Sequence, residues 1–144
     1  MTPDVNLLVA ASRSDHSHHA AAYTALTTAR QEAAKGHRLA LLGTVVASFL
    51  RLVTHPKVFG SPTPTAQALA FVDVLLVSPG VSMLPAGDEW SHLRRLCVEG
   101  QLTANDLPDA WIAASVLQHD EVLVTFDKDF LRLLPPTHLH LLRH

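Results

Sequence analysis

The chain has 144 residues, 48% of them hydrophobic, and a net charge of −2 with histidine neutral. That length fits one ordinary domain, and no apolar run is long enough to span a bilayer. The charge excludes a strongly basic nucleic-acid coat protein, but not an enzyme that meets RNA through a local basic patch. The single cysteine, Cys97, excludes an intrachain disulfide and a cysteine-based zinc cluster. The opening MTPDVNLLVAASRSD has no basic n-region and carries an acid at Asp4, so it does not read as a signal peptide. A reducing cytoplasm is therefore the expected compartment.

Residues 5–11, VNLLVAA, are continuously apolar and predict the first, buried strand of a parallel sheet. Asp4 then stands at the strand's start, with Asn6 two residues on and on the same face. Residues 14–35 predict helix, with Ser14 or Asp15 as N-cap and Lys35-Gly36 as the stop. His16, His18 and His19 fall in its solvated first turn. They lack the acidic or cysteine partners that a zinc site needs.

HRLALL at 37–42 predicts a second strand, and Gly43-Thr44 opens a helix that stops before Pro56. On that helix Val45, Val46, Phe49, Leu52 and Val53 form an apolar face, while Thr44, Ser48 and Arg51 share another. Thr63 or Thr65 caps a helix over 66–77, which is apolar on most sides. A short strand follows at 81–84. An amphipathic helix at 88–99 turns Trp90, Leu93, Leu96 and Cys97 inward, with Arg94 and Arg95 elsewhere.

Residues 105–130, NDLPDAWIAASVLQHDEVLVTFDKDF, carry most of the functional information. Two acids, Asp106 and Asp109, open a helical segment. EVLVT then predicts a buried strand, followed at once by Asp127 and Asp129. The end of a strand and the start of a neighbouring helix can open onto one edge of an α/β sheet. Asp109 and Asp127 can therefore converge there. Crowded carboxylates repel one another, and a hard divalent cation such as Mg²⁺ or Mn²⁺ relieves that repulsion. A last short strand is predicted at 137–142, after Pro135-Pro136. Alternating strands and helices imply a parallel sheet flanked by helices.

In order along the chain, DVN, SFLRLVTHP, NDLPDAWIAA and LVTFDKDF resemble the PIN-domain ribonucleases. Within these they are similar to the VapC-type toxins of bacterial toxin–antitoxin pairs. The resemblance covers essentially the whole chain, and PDAWIAA followed by VTFDKDF carries most of it. It implies a single PIN domain over residues 1–144, with a three-layer α/β/α fold around a central, mostly parallel sheet. It also implies a Mg²⁺- or Mn²⁺-dependent endoribonuclease that cleaves single-stranded or loop RNA. Such proteins are usually homodimers, blocked by a cognate VapB-type antitoxin. By the same resemblance Asp4, Asp109 and Asp127 are the metal-binding catalytic acids and Asp106 a supporting one. Asn6 and Thr125 orient them.

One position departs from the family pattern. Many PIN domains carry a glutamate just before the FLR-like segment, where this chain has Ser48. Either Asp106 supplies the missing charge, or the site is weakened. A catalytically weakened PIN-like interaction module is therefore the alternative reading. A receiver-like phosphoryl-transfer domain is a more distant rival, since HRLALLGT lacks the aspartate it would need. RNA positioning is expected from Arg51, Lys57, Arg94, Arg95 and Lys128.

Overall fold

The computed structural model describes residues 1–143. Five short strands make its sheet: β1 (Thr2–Pro3), β2 (Leu39–Leu41), β3 (Val81–Met83), β4 (Leu123–Thr125) and β5 (Leu139–Leu141). Every pairing is parallel. β4 lies between β1 and β5, and β2 pairs with β3. The Ala40 N–H donates to the Met1 carbonyl at 2.9 Å and so joins the two sets side by side. The helices are α1 (Val5–Ser12), α2 (His19–Ala34), α3 (Gly43–Val53), α4 (Thr65–Leu76), α5 (Glu89–Gly100) and α6 (Asp106–Gln118). Contacts run from α2 through α1 and α3 to α4, while α5 and α6 pack on each other. Leu7, Leu41, Val45, Phe49, Val116, Leu123 and Phe130 are fully buried and belong to one continuous core. The sheet and its parallel pairing match the expected α/β architecture.

The predicted first strand is instead a helix. β1 is only Thr2–Pro3, and VNLLVAA forms α1. An unbroken apolar run fits a buried strand or a buried helix equally well, and its short length favoured the wrong one. Leu7, Leu8, Val9, Ala10 and Ala11 are all buried, and five buried residues in a row hide the 3.6-residue period. Asp4 settles the start of α1. Its backbone is extended and its Oδ1 accepts the Val5 N–H at 2.7 Å.

α2 begins at His19 rather than near Ser14, because the Asp15 carboxylate is taken by Arg13. Neither expected threonine caps α4: its N-cap is Pro64, without a side-chain bond, and the Thr63 N–H donates back to the Val53 carbonyl. In α5 the expected inward tryptophan, Trp90, is 65% exposed. Its neighbour Glu89 is buried instead, accepting the Gly87 N–H and meeting the His119 ring at 3.2 Å. A satisfied buried carboxylate thus displaces the larger apolar group. Among the described residues no helix is long and apolar enough to cross a membrane.

Candidate active site

The corrected start of the chain changes how the acids meet. The Pro3–Val124 register sets Asp4 beside Thr125, at the C-terminal ends of two adjacent parallel strands. The Asp4 N–H donates to the Val124 carbonyl at 3.0 Å and locks that alignment. Such an edge is where open α/β sheets place their sites. Asp127 lies two residues beyond Thr125, and its Oδ1 accepts the Asp129 N–H at 2.8 Å to start a short 3₁₀ helix, Lys128–Arg132. Asp109 reaches the same edge from the first turn of α6. A helix N-terminus tolerates carboxylates well, since its unpaired N–H groups carry partial positive charge.

Asp4, Asp109 and Asp127 line one cleft of ≈ 480 Å³, together with Asn6, His16, Ser48, Arg51, Val58 and Phe59. Carboxylate oxygens of Asp109, Asp127 and Asp129 lie within 4.8 Å of one another. Asp129 is the acid to which the sequence reading gave no role, although it stands in the same FDKDF run. Asp106 is engaged elsewhere. Its two oxygens take the Arg132 guanidinium at 2.5 Å and the Thr103 N–H at 3.1 Å. Of the basic residues expected to position RNA, Arg51 lines the cleft, while Arg95 faces Glu99 and His92 on α5.

A buried hydrogen-bond network fixes the acids. Thr125 Oγ1 donates to Asp4 Oδ2 at 2.6 Å and accepts the Asp127 N–H at 2.9 Å. Asn6 Nδ2 donates to the same hydroxyl at 3.2 Å, and Asn6 Oδ1 accepts the Phe126 N–H at 3.3 Å. Thr125 and Asn6 therefore tie the end of β4 to the start of α1.

The electrostatics follow first from burial and then from crowding. Burial pushes the Asp109 carboxyl up to about 6, and the neighbouring Asp127, Asp4 and Asp129 add to the rise, with Arg132 partly opposing it. Burial also raises Asp4, against the hydrogen bonds from Thr125 and Val5, with Asp127 adding to the rise. Asp106 is held below its ordinary value, chiefly by Arg132. The donor set is all hard oxygen, with several carboxylates close together and no histidine or thiolate among them. It suits Mg²⁺ or Mn²⁺ and does not suit a structural zinc.

Comparison with known proteins gives the family. Residues 1–133 match the PIN domain family. The chain is 34% identical over 139 residues to ribonuclease VapC31 of Mycobacterium tuberculosis, covering 94% of each chain. It is 35% identical over 130 residues to VapC ribonuclease Mb2897 of Mycobacterium bovis, covering 90% of this chain and 86% of that one. Its fold superimposes with a TM-score of 0.66, at 20% identity and 96% coverage of both chains, on a chain in the crystal structure of VapBC2 from Rickettsia felis bound to a DNA fragment from their promoter. A parallel sheet whose edge gathers Asp4, Asp109 and Asp127, and a match along nearly its whole length, place this chain in the PIN-domain family, among its VapC members.

Proposed function

We propose that the protein is a divalent-metal-dependent endoribonuclease that acts as a toxin on single-stranded or loop RNA. In this reading it works in the cytoplasm as a homodimer and is neutralised by a VapB-type antitoxin. The observation that carries the proposal is the set of under-compensated carboxylates at one strand edge. Asp4, Asp109 and Asp127 would hold Mg²⁺ or Mn²⁺. When bound, such a cation lowers the pKa of water and offsets phosphate charge.

The chain's own residues do the remainder. Asp4 is aimed by Thr125, and one of the clustered carboxylates accepts the proton of the attacking water. Arg51, across the cleft, pairs with a phosphate of the bound strand. Asp106 acts at one remove by keeping Arg132 close to the cluster. Ser48 lines the same cleft and brings no charge, and Asp129 supplies the further acid that Ser48 does not.

The direct test is Asp109→Asn, an isosteric loss of one ligand. Cleavage of single-stranded RNA should fall by about 100-fold or more, with circular dichroism unchanged. Expression of the wild-type chain alone should inhibit growth, and the variant should relieve it. Wild-type cleavage by Asp109→Asn would refute the assignment. The weakened-module alternative rests on Ser48. It predicts no RNA cleavage by the wild type and a gain of cleavage in Ser48→Glu.

A further inference from the structure

The cleft has a second wall, and it does not belong to the acids. It comprises His16, in the turn after α1, and Val58 and Phe59, in the loop after α3. Resting on the ribonuclease reading above, we propose that His16 is a substrate-contacting residue that donates from Nε2 to an RNA phosphate. Arg13 is the residue that positions it together with Phe59.

Arginine is rarely buried, yet Arg13 is only 8% exposed. Its Nη1 donates to Thr63 Oγ1 at 3.1 Å and its Nη2 to the Ser61 carbonyl at 2.9 Å. Its Nε and Nη2 grip the two Asp15 oxygens at 3.0 and 2.7 Å. The guanidinium also lies 3.9 Å from the centre of the Phe59 ring. One planar fork thus ties two otherwise separate segments into a single wall. The single ammonium of lysine cannot make that set of contacts.

The same turn fixes His16. Its N–H donates to the Arg13 carbonyl at 3.1 Å, and its Nδ1 accepts the His18 N–H at 3.1 Å. With Nδ1 occupied as an acceptor, the neutral ring carries its proton on Nε2. The His16 ring lies 5.6 Å from that of His18, which stacks at 5.0 Å on Phe126, next to Asp127. This places a held N–H donor in the cleft that Asp4, Asp109 and Asp127 also line. A cleft built of acids alone would repel the RNA backbone. A wall with a held N–H donor offers a phosphate a hydrogen bond.

The experiment measures steady-state cleavage of single-stranded RNA with saturating Mn²⁺ by wild type, His16→Ala, His16→Gln and Arg13→Lys. Mn²⁺ affinity is measured alongside. His16→Ala should raise KM about tenfold, the loss of one hydrogen bond to a charged group, with kcat little changed. His16→Gln, which keeps an N–H donor, should recover most of that loss. Arg13→Lys should raise KM without weakening Mn²⁺. A wild-type KM for His16→Ala, or a glutamine variant as poor as alanine, would overturn the proposal. So would a parallel loss of Mn²⁺ affinity, which would mark a merely structural role. If wild type cleaves, Asp109→Asn does not, and His16→Ala keeps its KM, only this inference fails. If wild type does not cleave at all, the ribonuclease reading fails and takes this inference with it.

Discussion

The two ends of strands β1 and β4 treat buried acid in opposite ways. At the N-terminal end, Glu121 is almost fully buried and accepts the Met1 ammonium at 2.6 Å and the Arg38 Nε at 2.7 Å. At the C-terminal end, Asp4, Asp109 and Asp127 line one cleft with only Arg51 among its lining side chains as a fixed cation. The strands are the same and only a few residues separate the ends. One end is satisfied by the chain itself. The other withholds compensation, and burial together with the neighbouring acids raises the carboxyls of Asp4 and Asp109 above their ordinary value. Charge completed internally stabilises a fold, whereas charge left incomplete creates a demand that a cation and then a substrate can meet.

Breaking the satisfied end should have the largest effect on stability. Glu121→Gln removes the charge from two short, charge-assisted bonds and should cost about 2 kcal/mol in denaturant unfolding. The metal affinity of the opposite end should not change. A loss of Mn²⁺ binding in that variant would show that the two ends are not independent.

At the site end, Thr125→Val keeps the volume and deletes the hydroxyl that donates to Asp4 and accepts from Asp127. Loss of such a supporting partner should weaken Mn²⁺ about tenfold, as isothermal titration would report. Unchanged affinity would place Asp4 outside the metal site.

The smallest effect carries an unusual sign. In the metal-free protein Asp109 sits at about 6 against 3.8 for the ordinary carboxyl. A folded-state value above the unfolded one means that the fold holds an extra proton between those limits. Stability from this group is therefore gained as pH falls through 6 towards 3.8, and lost as pH rises through the same window. Asp109→Asn has no charge to bury. Without metal at pH 7.5 it should be more stable than wild type by on the order of 1 kcal/mol, after allowance for solvent screening. The gap should close on acidification. Thermal melts across that range would check both the direction and the closure.

Much of this was legible in the sequence. The acid–helix–strand–acid order over 105–130 needed only periodicity and β-branching, and both elements form as read. The convergence of Asp4 was not derivable that way. It depends on the register between Thr2–Pro3 and Leu123–Val124, which no local pattern records. The misreading of VNLLVAA as a strand has the same root. Five consecutive buried residues, Leu7 to Ala11, hide the alternation that would reveal a helix. Asp129 escaped because spacing of two along the chain says nothing until the 3₁₀ turn swings its carboxylate towards Asp109. Arg13 escaped because its contacts reach a loop some fifty positions away, as the Arg13–Thr63 bond shows.

The central claim is that this strand edge gathers its acids for a divalent ion. Titration of metal-free protein with Mn²⁺, followed by electron paramagnetic resonance, tests it most directly. Wild type should show saturable binding, and Asp109→Asn and Asp127→Asn should each weaken it by about tenfold or more. No saturable binding in the wild type, or equal binding in all three proteins, would contradict the account.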